Sequence, residues 1–238
     1  MRDIATVPPA LRLPTVDDPS DTVWVFDLDN TLYPASCNLF KQVDARMASF
    51  IGELLTITEA DARALQKRYY RTYGTTLRGL MLEHAIPPDR FLEFVHAIDV
   101  SPVPPNPALD AALGALQGRK LIFTNGSIRH AENVLDRIGV GHHFEAIFDI
   151  VAADYVPKPD PAPYQAFLRA HAVVPALACM LEDLPRNLVP AASLGMTTVL
   201  VKGTHELTEI DAAGDHIHHV TEDLVAWLDA AAAHQRVG

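Results

Sequence analysis

The chain has little of what would tie it to several common classes of protein. Cys37 and Cys179 are the two cysteines among 238 residues, too few for a disulfide framework. Each sits in an apolar stretch and reads as a small buried hydrophobe, which suits a reducing cytoplasm. Basic residues are also scarce: 19 Lys and Arg stand against 30 Asp and Glu, for a formal charge of −11. Contacts to a phosphate backbone need clustered cations, so duplex nucleic acid and anionic membrane surfaces are excluded as partners. No stretch approaches the run of about 18 apolar residues that spans a bilayer. Residues 1–20 contain no basic segment followed by an apolar one, so neither a secretion signal nor a membrane span is expected. A Walker phosphate loop, GxGxxG, HExxH, GxSxG and internal repeats are all missing.

What remains is a soluble globular composition, 49% hydrophobic and 21% charged. A chain of this length buries about 70% of the surface its unfolded form exposes, enough for a core without staples. The first strand signal is Val23-Trp24-Val25-Phe26, which runs abruptly into Asp27-Leu28-Asp29-Asn30-Thr31. The pattern then turns helical to about Val95, with Leu39, Val43, Met47 and Phe50 spaced by three and four and Thr58 followed by Asp61 as in a capping box. This block shows no strand and reads as a helical insertion. Ser101 to Pro107 holds four prolines in seven residues, a stiff return linker.

Beyond the linker, helix and strand alternate. Helices are expected at Ala108 to Leu116, from a Ser127 cap to Gly139, at Tyr164 to His171, at Asn187 to Leu194 and from Thr221 to Ala233. Strands are expected at Leu121 to Phe123, Ala146 to Val151, Cys179 to Leu181 and Thr197 to Val201. Short apolar strands separated by helices imply an α/β fold, a doubly wound parallel sheet covered on both faces. The expected organisation is a core of residues 21–34 and 101–238, a helical cap of residues 35–100 inserted after strand one, and an extension of residues 1–20.

Ligands of open parallel sheets bind beyond the carboxyl ends of the strands. Those ends hold Asp27 and Asp29, then Thr124-Asn125-Gly126-Ser127, then Glu182-Asp183, while Lys158 lies in the proline-braced Val156-Pro157-Lys158-Pro159-Asp160-Pro161. Taken in order, DLDNTLYP, FTNGS, KPDP and EDLPRNL resemble the haloacid dehalogenase superfamily of phosphatases, most closely its pyrimidine 5′-nucleotidase branch. The resemblance runs from Val23 to Val201, and Tyr69 to Leu80 is similar to that branch's cap. Two departures are visible: motif four opens with Glu182 where the branch more often has Asp, and the linker at Pro102 to Pro107 is short.

The resemblance implies a Rossmann-like core and a phosphomonoesterase. Asp27 would be the nucleophile that forms an aspartyl-phosphate, and Asp29 the acid that protonates the leaving oxygen and then the base that activates water. Both would face the site only if Asn30-Thr31 swings away. A carboxylate about 4 Å from a phosphate dianion is repelled by roughly 8 kcal/mol at an effective dielectric near 20. A hard cation relieves this, and Mg²⁺ is implied, held by the Asp27 carboxylate, the Asp29 carbonyl and the Asp183 carboxylate, with Glu182 acting through water. Thr124 through its hydroxyl and Asn125 through its backbone N–H would bind the phosphoryl oxygens, Lys158 would supply positive charge and orient Asp27, and Asn187 would support the motif-four carboxylates.

The substrate would be a small phosphomonoester, a nucleotide in the first place, with a sugar phosphate or phosphoglycolate as the alternative and a non-catalytic ligand-binding regulator as the rival from another class. Tyr73, Thr76 and Arg78 are the cap candidates for reading a pyrimidine. The sequence leaves a homo-oligomer open. Tyr69, Tyr70 and Tyr73 suit base stacking or packing equally. His216 to His219 invites a metal reading, yet lacks a Cys or carboxylate partner at ligand spacing, and His142-His143 reads as a solvated turn.

Overall fold

The computed structural model describes residues 11, 13–203 and 214–236. Strand β1 (Val23–Phe26) is buried along its whole length at the centre of a six-stranded, all-parallel sheet. With β2 (Arg119–Phe123), β3 (Ala146–Phe148), β4 (Ala178–Glu182), β5 (Thr197–Val201) and β6 (His219–Thr221), the order is β3-β2-β1-β4-β5-β6. The winding direction reverses beside β1, and such a switch point opens a crevice at the carboxyl ends. The register aligns Phe26 with Ile122 and with Leu181, so the polar residues after each strand emerge at one edge.

Period-two alternation divides β1 between two cores. Trp24 and Phe26 face a cluster built with α5 (Pro107–Ala115), α6 (Ile128–Ile138) and α9 (Leu224–Gln235). Val23 and Val25 face the opposite cluster, filled by Tyr164 and Phe167 of α7 (Pro161–Ala170) and Leu188 and Ala191 of α8 (Pro185–Ser193). A strand with both faces covered cannot alternate apolar with polar, which is why VWVF is apolar throughout.

Between β1 and α5 lie four helices and, among the described residues, no strand: α1 (Leu39–Leu55), α2 (Glu59–Tyr73), α3 (Thr76–His84) and α4 (Pro88–Val95). They share their own core of Val43, Phe50, Ile51, Tyr69, Leu80 and Phe91. The Leu39, Val43 and Phe50 stripe is buried as its spacing requires, and Thr58 caps α2 by accepting from Asp61 N–H. A Cβ at Gly79 would lie 2.4 Å from the Tyr69 ring, so only glycine lets α3 approach α2 this closely.

Several elements differ from the sequence expectation. The strand expected at Ala146 to Val151 stops at Phe148, because the Asp149 carboxylate accepts from Ile128 N–H and Ala152 N–H and turns the chain. Thr221 closes β6 instead of opening a helix, and the Asp223 side chain caps α9. The expected burial of both cysteines holds for Cys179 but not for Cys37, which is half-exposed. The His216 to His219 stretch is stitched to β5: the Thr198 hydroxyl donates to the His216 carbonyl at 2.6 Å, and Thr198 N–H donates to His218 Nδ1 at 3.0 Å. No helix among the described residues is long and apolar enough to cross a membrane.

Candidate active site

Asp27 N–H continues the β1 ladder by donating to the Leu181 carbonyl at 2.9 Å, which fixes Asp27 beside the end of β4. Asn30 then takes a left-handed conformation, φ 61°, and reverses the chain. Thr31 does not swing away as expected: the turn brings its hydroxyl back to donate to Asp27 Oδ2 at 3.1 Å. The other oxygen, Oδ1, accepts from Lys158 Nζ at 2.8 Å.

Lys158 is fully buried, and its ammonium has three hydrogen-bond acceptors: Asp27, the Phe123 carbonyl at 2.7 Å and Glu182 Oε1 at 3.0 Å. A buried ammonium is tolerated only when paired and fully hydrogen-bonded, and these acceptors meet that condition. Its loop is latched by Asn125, whose side chain accepts from Lys158 N–H at 2.9 Å and donates to the Lys158 carbonyl at 3.3 Å. The Asn125 side chain thus holds the lysine loop, a part separate from the backbone role expected for this residue.

Thr124 is buried at the end of β2, and its hydroxyl oxygen accepts from Gly126 N–H at 3.0 Å. A Cβ at Gly126 would stand 3.2 Å from the His130 ring and 3.3 Å from Thr124 Oγ1, so a side chain here would press on both. Glu182 is held by three donors: Oε1 accepts from Lys158 and from Asn187 Nδ2, and Oε2 accepts from Leu184 N–H at 2.6 Å. Asn187 is therefore placed on a motif-four carboxylate, as expected.

The carboxylates of Asp27, Glu182 and Asp183 converge, each with an oxygen within 4.8 Å of the others, and all three are buried. One lysine cannot balance three negative charges. Burial pushes the Asp27 carboxyl up to about 7, with Glu182 adding to the rise and Lys158 opposing it. Burial and the charges of Glu182 and Asp27 likewise push Asp183 well up. An oxygen-only, electron-rich cluster of this kind fits a hard divalent cation such as Mg²⁺.

Asp29, two residues from Asp27, sits in the opposite field. Its Oδ1 accepts from the Tyr33 hydroxyl at 2.5 Å and pairs with His130 Nε2 at 2.8 Å. Burial works to raise its pKa, but the charge and hydrogen bond of His130, helped by Tyr33, bring it down to about 2. His130 is in turn raised by Asp29 against the effect of its own burial. Its ring stacks at 4.6 Å on His96, the C-cap of α4, and His96 Nδ1 meets the hydroxyl of Ser127, the cap of α6, at 2.8 Å. Tyr33, His130 and His96 were missed in the sequence. Tyr33 stands at i+4 from Asp29 inside the DLDNTLYP motif, the one local signal that points to it; the histidines come together only in the fold.

The three cap candidates do not converge. The Tyr73 hydroxyl donates to Glu83 within the cap, and Thr76 is buried in the first turn of α3. Arg78 alone is placed against the core, 3.9 Å from Asp160 in the lysine loop. Tyr69 is packing, its hydroxyl 2.7 Å from His84 Nε2. Tyr70 instead meets the core, hydrogen-bonded to Arg186, whose guanidinium lies 4.8 Å above its ring.

Over residues 22–195 the sequence matches the family model described as haloacid dehalogenase-like hydrolase. It is 29% identical over 211 residues to Phosphate metabolism protein 8 of Saccharomyces cerevisiae, a match covering 81% of this chain and 64% of the yeast protein. The chain thus spans less than two thirds of that relative. Among solved structures, the HAD phosphatase from Thermococcus onnurineus superposes with a TM-score of 0.61 at 17% identity, covering 88% of this chain and 97% of that one. The 2-haloacid dehalogenase from Pseudomonas syringae pv. Tomato DC3000 gives 0.56 at 18% identity, covering 89% and 98%. At these identities the likeness is one of fold.

Proposed function

The chain belongs to the haloacid dehalogenase-like hydrolase family, and from that premise we propose that it is a phosphomonoesterase working through an aspartyl-phosphate on Asp27, with pyrimidine nucleoside 5′-monophosphates as its first substrate class. The observation that carries the reading is the pairing of two differently tuned carboxylates on one turn. Asp27 lies against Lys158, and Asp29 is held by Tyr33 and His130. Displacing halide from carbon leaves an anion that needs no proton, so an acid–base group with its own support favours an oxygen leaving group.

Lys158 and Thr31 hold both oxygens of Asp27, restricting its rotation and presenting it for attack on phosphorus. Attack forms the Asp27 Oδ–P bond and breaks the P–O bond to the leaving alcohol. Thr124 and the Asn125 N–H are the donors at the same edge for the phosphoryl oxygens, and the lysine ammonium offsets their charge. The Asp29–His130 pair holds a proton at His130 Nε2, hydrogen-bonded to Asp29 Oδ1, and Asp29 passes it to the departing oxygen. Having given up that proton, the pair next takes one from water through Asp29; the water attacks phosphorus, releases phosphate from Asp27 and leaves the pair as it began. Asp27 and Asp183 would hold Mg²⁺ with the Asp29 carbonyl; the ion would neutralise charge between carboxylate and phosphate when bound. Glu182, which accepts from Lys158, Asn187 and Leu184 N–H, holds the lysine and would reach the ion through water.

Support for a nucleotide comes from the seam between cap and core, where Arg78, Tyr70 and Arg186 present two guanidinium groups and an aromatic ring. The test is phosphate release across a panel in Mg²⁺: UMP and CMP should exceed AMP and GMP in kcat/KM by about tenfold, the scale of one lost polar contact or steric exclusion. Equal values would remove the nucleotide preference, a faster sugar phosphate or phosphoglycolate would replace it, and absence of multiple turnover on every ester would favour a binding protein.

A further inference from the structure

A second constellation lies away from the catalytic edge, on residues that the chemistry above does not use. Asp110 is on α5, and His142 and His143 follow one another in the 3₁₀ turn Gly141–His143. Helix α6 starts at the carboxyl end of β2 and runs back along the sheet, so this turn, which leads into β3, lies at the amino end of the strands.

Following Gly141 at a helix exit, the pair reads as a solvated turn in the sequence. The fold gives it a partner. The two imidazole rings lie 4.0 Å apart, and both Nε2 atoms aim at one oxygen, Asp110 Oδ1, at 3.2 Å from His142 and 2.7 Å from His143. His143 is largely enclosed, 14% exposed, while His142 is 66% exposed and leaves a side open to solvent. Gly114, one helical turn beyond Asp110, lies beside the ring: a Cβ there would stand 3.4 Å from His143 Cε1, in van der Waals contact.

We propose that Asp110, His142 and His143 form a binding site for a borderline-soft divalent transition metal of the Zn²⁺ type, distinct from the oxygen-only catalytic cluster. A tetrahedral ion with bonds of about 2.0 to 2.1 Å to nitrogen and oxygen needs donor atoms about 3.3 Å apart. The two N···O separations, 3.2 and 2.7 Å, both fall short of that value, the second by more, and all three ligand atoms fall within 4.8 Å of one another. A carboxylate shift of roughly half an ångström opens the centre. Two imidazoles and one carboxylate select Zn²⁺, Co²⁺ or Ni²⁺ over Mg²⁺, which prefers oxygen and water. Solvent supplies the fourth ligand. The bound ion would fasten α5, the first helix after the 101–107 linker, to the connection between α6 and β3.

The test is titration of the full chain with Co²⁺ and with Zn²⁺ at pH near 7.5 under saturating Mg²⁺, which occupies the carboxylate cluster. Co²⁺ should give the visible absorption of a low-coordinate nitrogen–oxygen site, Zn²⁺ should displace it at one equivalent, and Zn²⁺ should raise Tm in proportion to ln of its excess over Kd. His142→Ala, at an exposed position that the fold does not need, should weaken Zn²⁺ binding at least tenfold, as should Asp110→Asn, while Mg²⁺-supported phosphate release stays within twofold of the parent. Binding that is equally tight in both variants, or no Co²⁺ spectrum in the parent at millimolar metal, would overturn the proposal. Loss of phosphatase activity in the Asp27 variants leaves this titration unaffected, so the two readings fail separately.

Discussion

Asp27 and Asp29 are two residues apart in one turn, yet their surroundings act on them in opposite directions. Asp27 faces buried carboxylates with one lysine between them and is pushed up to about 7. Asp29 faces a histidine and a tyrosine hydroxyl and is held down at about 2. Burial alone would raise both, so the difference lies in the sign of the neighbouring charge and in who donates the hydrogen bonds. On one side of the turn buried negative charge outweighs positive; on the other the carboxylate has its partners in place.

The largest effect expected from this division is on the Asp27 side. Asp27→Asn keeps volume but removes the attacking charge, and kcat should fall at least about a thousandfold, some 4 kcal/mol, with circular dichroism unchanged. A variant retaining more than about a tenth of parental kcat would take the nucleophile role from Asp27.

The same substitution sharpens the comparison through stability. A carboxyl whose folded pKa of about 7 lies above its ordinary 3.8 binds more protons folded than unfolded across that window. Its contribution to stability is therefore complete below pH 3.8 and is lost as pH rises through 7. In denaturant melts without divalent metal, Asp27→Asn should gain on the parent as pH goes from 4 to 8, by on the order of 3 kcal/mol. Millimolar Mg²⁺ should shrink that gap. A gap independent of pH would mean that Asp27 is not short of positive charge.

On the Asp29 side the test is the leaving group. Asp29→Ala and His130→Ala should slow formation of the Asp27 phosphoryl intermediate, read in a single turnover, about 10- to 100-fold for a nucleotide or alkyl phosphate and no more than about threefold for an aryl phosphate, whose oxide leaves without a proton, while hydrolysis of the intermediate slows for both. Tyr33→Phe should show the same pattern more weakly. Equal slowing of intermediate formation with both esters would make His130 a packing residue and remove the leaving-group role of the pair.

Smallest is the effect of the cap. Arg78→Ala and Arg186→Ala should each cost about tenfold in kcat/KM for UMP while leaving a small aryl phosphate unchanged, whereas Tyr73→Phe should leave both unchanged, because its hydroxyl serves Glu83 inside the cap.

The strand ends and the cap helices were legible because their signals are local. VWVF against DLDNT, the α1 stripe and the Ser127 cap are each set by neighbours within a few residues. The lysine loop was legible from its prolines and its place before motif four. What escaped was set by distance in sequence: His130 meets Asp29 across 101 residues, and Arg186 meets Tyr70 across 116. Strand β6 escaped because three residues paired on one side only carry too short a pattern. Tyr73 and Thr76 are named from residue type alone, whereas the helical face sets where they lie, the first against Glu83 and the second buried. His142 and His143 read as a solvated turn after a helix exit, because their partner Asp110 stands 33 residues from His143 in sequence and meets it only in the fold.

The measurement that bears most directly on the account is to quench the enzyme with acid during turnover of a phosphoryl-labelled ester, digest it, and locate the label. The account requires an acid-stable, hydroxylamine-labile acyl phosphate on the peptide containing Asp27, present in the parent, accumulated in Asp29→Ala if water activation becomes limiting, and absent from Asp27→Asn. Label on a histidine, or turnover with no labelled peptide under conditions that trap acyl phosphates, would contradict it.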